Sequence, residues 1–209
     1  IKQHLKNSNH NKIKLSFCPT MLLNDKYKYH NTGKNKTVGF VFAGDRLTNR
    51  HENIEKFTIE IKNFVKYLKD KGYKTTLINH QNDLWILDKI KFDGMVDLYK
   101  KNTELIYQTY SKMDYVISDR GHAQMIPFCC GCKLLTPISH NKLKWFLNDM
   151  GIDYVGVEEN TEQLEEKLIS TFEKLEDSDW NVNHSSGMEK IKSNYSKNVS
   201  ENAAKETVV

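Results

Sequence analysis

No run of this chain approaches the roughly 18 apolar residues that a membrane-crossing helix requires, and its first residues lack the apolar core of a secretory signal. No membrane span is therefore expected within the sequence. Blocks of like charge are missing too, since 31 basic and 27 acidic side chains are spread along the whole length for a net charge of +4. A nucleic-acid arm would concentrate its lysines, so nucleic acid is not an expected partner. The four cysteines lack the second pair that zinc-finger spacing demands, and Cys129, Cys130 and Cys132 share one apolar stretch. They read as small buried hydrophobes in a reducing, cytoplasmic setting, with no metal and no cofactor expected. Absent as well are a Gly-x-Gly-x-x-Gly after the first strand, a Walker-type Gly-Lys-Ser/Thr, a His-x-x-x-His pair and a Gly-x-Ser-x-Gly elbow, which disfavours dinucleotides, P-loop chemistry and a serine nucleophile at Ser118 or Ser139.

What is present is an alternation of two periodicities. Thr37 to Phe42 is a continuous apolar run, hence a buried strand, and Ile54, Phe57, Ile61, Phe64, Val65 and Leu68 then recur at helical spacing until Gly72. Strands are predicted again over 73–79, 94–99, 115–118, 133–138 and 154–157. Helices are predicted over 84–90, 103–112, 122–130, 141–150 and 161–175. Such alternation with short connections specifies an α/β domain, a doubly wound parallel sheet with helices on both faces, that is, a Rossmann-like fold.

The two flanks differ from this centre. Residues 1–35 are rich in Asn, Lys and His around one apolar island, Ile13 to Leu23, and are expected to be the end of a truncated N-terminal half with its connector. Residues 36–176 are the Rossmann-like domain, and 177–209 are polar and poor in aromatics, hence expected to be a mostly disordered tail. Three glycosylation-type triplets, at Asn35, Asn183 and Asn198, carry little weight in a chain so rich in asparagine. The front of the chain is expected to be cut from something longer, so a signal or anchor upstream, and with it a Golgi location, stays open.

In doubly wound sheets ligands bind outside the carboxyl ends of the strands. The residues that follow the strands are Asp45 and Arg46, His80, Asp119 with Arg120 and His122, and His140 with Lys142, whereas the opposite edge shows ordinary turn residues at Gly72, Lys112, Gly131 and Gly151. Two arginines, three histidines and a lysine on one sheet edge imply an anionic ligand. The sharpest of these placements is Ser118-Asp119-Arg120-Gly121-His122, a charged pair set between two apolar runs where a helix begins.

That stretch, with Ile126-Pro127-Phe128, Gly131, Ile138-Ser139-His140-Asn141-Lys142-Leu143 and Leu147-Asn148-Asp149-Met150-Gly151, closely resembles the C-terminal half of the polysaccharide pyruvyl transferase family. Upstream, Val38 to Arg46 looks like the first strand of that half with its terminal arginine, although Gly44-Asp45 departs from the family's usual serine. Cys18-Pro19-Thr20-Met21-Leu22-Leu23 looks like the closing segment of the preceding half, with Thr20 where many members have Asp. The resemblance spans about residues 13 to 175. It implies a fold similar to GT-B glycosyltransferases, two Rossmann-like halves around a cleft, and transfer of the enolpyruvyl group of phosphoenolpyruvate to two hydroxyls of a sugar or glycan, giving a pyruvate ketal and phosphate.

On that reading phosphoenolpyruvate would be bound by Arg46, Arg120, Gly121, His122 and Lys142, because a phosphate beside a carboxylate calls for several fixed cations and N–H donors. His122 would hydrogen-bond the phosphate or carry a proton, and Asp45 is a candidate base for the incoming hydroxyl. For Lys142 the alternative is an exposed first-turn lysine. His80, Asp83 and His140 are candidates for facing the acceptor. Trp85 is a candidate for stacking on a sugar, whereas Trp145 is placed with Leu143 and Leu147 in the core. The competing functions are a GT-B glycosyltransferase that uses a nucleotide sugar and a non-catalytic glycan-binding fragment.

Overall fold

The computed structural model describes residues 16–206, apart from residues 34, 46 and 48–50. Six strands, β1 (Thr37–Val41), β2 (Lys74–Asn79), β3 (Gly94–Asp97), β4 (Tyr115–Ser118), β5 (Lys133–Ile138) and β6 (Gly156–Glu158), form one sheet in the order β3-β2-β1-β4-β5-β6. Every adjacent pair is parallel. This is the doubly wound order in which the chain runs outward from β1 to one edge and returns beside β1 to run to the other. The switch point lies between β1 and β4, where Phe40 pairs with Ile117 and Val41 with Ser118.

Among the described residues the α-helices include α1 (Leu23–Tyr27), α2 (Ile54–Asp70), α3 (Thr103–Tyr110), α4 (His122–Cys129), α5 (Asn141–Met150), α6 (Leu164–Glu176) and α7 (Trp180–Glu206). Apolar spacing decides their faces. In α2 the buried residues are Phe57, Thr58, Ile61, Phe64, Val65 and Leu68, and Asn53 caps the first turn by accepting from the Lys56 amide. Phe64 meets Phe172 of α6 edge-on at 6.0 Å between ring centroids, so α2 and α6 share one face of the sheet. Burying each such ring contributes about 1.5–3 kcal/mol, so these two helices anchor their side of the core. On the other face, Phe128 of α4 stands edge-on to Phe146 of α5 at 5.8 Å. Cys129, Cys130 and Cys132 are free thiols buried there, and burial pushes the Cys130 thiol up to about 12.

Several expectations are corrected. The tail is not a polar coil from its start, because α7 covers 180–206 and buries Trp180 and Ile191. The Trp180 indole donates to the Gly131 carbonyl at 3.2 Å, and Gly187 lets the helix approach closely, since a Cβ there would sit 2.7 Å from Phe128 Cζ. A few anchors on one stripe were enough to dock a helix that is polar elsewhere. Trp145 is not core: it is 62% exposed. Two residues along a helix turn the side chain about 200° away, so Trp145 faces opposite to the buried Leu143 and Leu147. The helix predicted over 84–90 is a single 3-10 turn, Asp83–Ile86, and the last strand begins at Gly156 after a 3-10 turn at Asp153–Val155.

Candidate functional site

Parallel pairing puts the carboxyl ends of all six strands on one edge, and the switch between β1 and β4 opens a gap there. Ser118 closes β4, and its Oγ accepts from the Arg120 amide at 2.9 Å, which turns the chain so that Asp119 points inward and Arg120 across the gap. The Arg120 Nη2 donates to Asp83 Oδ1 at 2.7 Å, to Asp45 Oδ1 at 3.0 Å and to the Gln81 carbonyl at 3.1 Å. Its Nε is buried with no hydrogen-bond partner. The guanidinium is thus fixed through one nitrogen alone.

Asp83 does this holding. It is fully buried and also accepts from the amides of His80 at 2.8 Å, Gln81 at 3.2 Å and Gly44 at 3.3 Å. The expectation that Asp83 faces an acceptor is therefore corrected: its oxygens are spent on the 80–83 turn and on Arg120. The turn could approach β1 only because residue 44 is glycine, since a Cβ there would lie 1.5 Å from the Asn82 carbonyl oxygen.

His80 stacks on Tyr110, with Nε2 and the phenol oxygen 2.5 Å apart. Burial, together with the nearby Arg120 and His122 and against the pull of Asp83, lowers the His80 pKa to about 4. It is a neutral imidazole near pH 7. His122 is exposed at the start of α4, with Nε2 3.7 Å from Cys18 Sγ, and desolvation followed by Lys142 and Arg120 lowers its pKa. Lys142 is exposed on the first turn of α5, and its Cε lies 3.9 Å from where a Cβ on Gly121 would stand. His140 precedes α5 without capping it through its side chain. Arg46 lies outside the described residues.

Arg120, Gly121, His122, Lys142, Asp45, Asp83 and His80 are thereby brought to one side of one gap. Sequence reasoning missed three members of this edge. His51 is buried, with Nδ1 2.5 Å from Glu159 Oε1 and Nε2 3.6 Å from Asp119 Oδ2, and its ring lies 4.4 Å from that of Phe57. Asp119 in turn accepts from the Ala43 amide at 2.8 Å. Glu159 follows β6, so reading the residue after the last strand as well as after the others would have found it. Cys18, beside His122, carried no signal beyond its place in the apolar island. Among the described residues, no group of three or more His, Cys, Asp or Glu has the arrangement to hold a metal ion.

A doubly wound parallel sheet with its charged groups gathered at the switch point defines the class, a Rossmann-like α/β domain. The chain belongs to the polysaccharide pyruvyl transferase family, whose model matches residues 2–142, about two-thirds of the sequence. The matched part is the N-terminal portion of the chain. It takes in the whole Arg120 cluster and ends at Lys142, short of the residue 175 to which the sequence resemblance extends. The family is one of transferases and implies a polysaccharide acceptor. No curated protein matches the chain. No helix among the described residues is long and apolar enough to cross a membrane.

Proposed function

We propose that this edge binds phosphoenolpyruvate and that the protein transfers the enolpyruvyl group to sugar hydroxyls of a glycan. The observation that carries the reading is the convergence of Arg120, His122 and Lys142 at the switch point of a family member. Phosphate and carboxylate sit close together on this donor, so a fixed guanidinium flanked by an imidazole and an ammonium suits it.

The chemistry divides among these residues. A sugar hydroxyl oxygen bonds to C2 of the enol phosphate while its proton leaves to a base and another proton adds to the C3 methylene, making a methyl group. A second hydroxyl oxygen then bonds to C2 as the C2–O bond to phosphate breaks, and its proton leaves with the departing inorganic phosphate, which closes the ketal. Asp45, whose side chain is 43% exposed and touches Arg120 Nη2, is the base of this scheme, and donor phosphate arriving at Arg120 would compete with it for that nitrogen. His122 is the group for proton delivery: desolvation, with Lys142 and Arg120 nearby, lowers its pKa, which makes its protonated form the stronger acid. Lys142 offsets the charge on departing phosphate. In this reading the sheet is one wall of a GT-B-like cleft.

Incubating the protein with phosphoenolpyruvate and a glycan panel tests the proposal through phosphate release and an acid-labile ketal on the glycan. Arg120→Ala should lower turnover by about 100- to 1,000-fold, the scale of losing one preorganised donor to a transition-state anion. Unchanged phosphoenolpyruvate binding in Arg120→Ala would remove Arg120 from the donor site.

A further inference from the structure

Beside the Arg120 cluster, on the same edge, lies a hollow of about 210 Å³ lined by Asn79, Asn82, Leu84, Trp85 and Tyr99. The 80–83 turn is the wall between the two. Its Gln81 carbonyl and Asp83 carboxylate hold Arg120 on one side, while Asn82 and the residues after Asp83 line the hollow on the other. We propose that this hollow is the subsite for one pyranose ring of the acceptor glycan, an assignment that rests on the transferase reading above.

The chemistry of the lining supports a sugar over other small molecules. Two aromatic side chains offer flat faces to the C–H face of a pyranose, and no carboxylate lines the hollow. Trp85 is rigid, because its indole N–H donates to the Phe42 carbonyl at 3.0 Å and fixes the ring plane. Asn79 is rigid too, with its amide on Asp97 at 2.7 Å and its carbonyl oxygen accepting from the Asp83 amide at 3.0 Å. Tyr99 stands 44% exposed after β3, and Asn82 is exposed. Lys89 Nζ lies over the Trp85 ring, 5.6 Å from its centroid, and Lys100 Nζ over the Tyr99 ring at 5.1 Å, so each aromatic has an ammonium donor close by for hydroxyl oxygens. The volume suits a single ring rather than a chain. Two other cavities fit less well. The one of about 430 Å³ sits at the opposite edge, beside Asn31 and Gly131, and the one of about 320 Å³ is lined by Glu52, Glu60 and Glu159.

Titration of the full chain with a panel of methyl hexopyranosides, followed by ligand-observed NMR, tests this assignment, with phosphoenolpyruvate binding measured in parallel. At least one panel member should bind the wild type. Tyr99→Ala should weaken that binding tenfold or more and Tyr99→Phe by less than threefold, with melting temperature and phosphoenolpyruvate affinity unchanged in both. Equal saccharide binding by Tyr99→Ala and the wild type, or no binding by any panel member, would overturn the subsite. Saccharide binding that responds to Tyr99 in a protein that fails to bind phosphoenolpyruvate would overturn the donor reading and leave the subsite standing.

Discussion

Both edges of the sheet bury carboxylates, and they satisfy them differently. At the amino edge Asp114, buried before β4, accepts from the backbone amides of Asn35 at 2.8 Å and Thr37 at 3.2 Å and from the Asn31 side chain at 3.2 Å. All three donors are neutral, and the result is a staple that ties the segment before β1 to the sheet. At the carboxyl edge Asp83 engages a guanidinium, and Asp119 and Glu159 flank an imidazole. Carboxylates close one edge and hold the Arg120 guanidinium and the His51 ring in place at the other. A carboxylate satisfied by amides is finished, whereas one paired with Arg120 fixes a charge that still has free valence toward a ligand.

Asp83→Ala should test this contrast most severely. It removes the buried partner of the partly buried Arg120 guanidinium, which keeps Asp45 and the Gln81 carbonyl, and leaves three backbone amides without their acceptor, so denaturant unfolding should show a loss of about 3–5 kcal/mol, together with loss of phosphoenolpyruvate binding. A loss below 1 kcal/mol would mean that Arg120 is not held as described. Next comes acid. Because the folded pKa of His80 is lowered to about 4 from 6.5, the native state carries fewer protons than the unfolded chain between those values. Stability should therefore fall as pH drops through that window, by up to about 3 kcal/mol from this group. His80→Gln should flatten the slope of unfolding free energy against pH between 6.5 and 4, and an unaltered slope would contradict the assignment.

Asp114→Ala sharpens the comparison from the other side. It should cost about 1–3 kcal/mol of stability through unsatisfied amides yet leave the affinity for phosphoenolpyruvate as it was; a matching loss of affinity would erase the functional difference between the edges. Trp145→Ala marks the low end. An exposed ring should change stability by no more than about 0.5 kcal/mol, and a drop in melting temperature of several degrees would return Trp145 to the core.

Much of the fold was legible because it rests on local periodicity. The runs at 37–42, 115–118 and 133–138 are apolar on both faces, which only a strand covered by helices on both sides requires, and the three- and four-residue spacing of Phe57, Ile61, Phe64 and Leu68 could only be a helix with one buried face. Of the candidate site, the strand-end rule found Asp45, His80, Arg120, His122 and Lys142 on one edge. It could not see that Asp83 is the residue that holds Arg120, since this needs β2 beside β1, nor that Glu159 reaches His51 from the end of β6. The helix α7 was missed because its polar composition outweighs Trp180, Gly187 and Ile191, and those act only when Phe128 and Gly131 are already in place.

The sequence by itself determined the alternation of strands and helices, the family, and the concentration of charged residues after the strands. Tertiary structure alone decided which of those charges meet. Hydrophobic spacing is a property of neighbours along the chain, but the pairing of Arg120 with Asp83 and Asp45, and of His51 with Glu159, joins residues 37, 75 and 108 positions apart. Only the crossover order of the sheet brings such residues within hydrogen-bonding reach, and the burial of Asp83, His51 and Glu159 there shields two of those pairings from water.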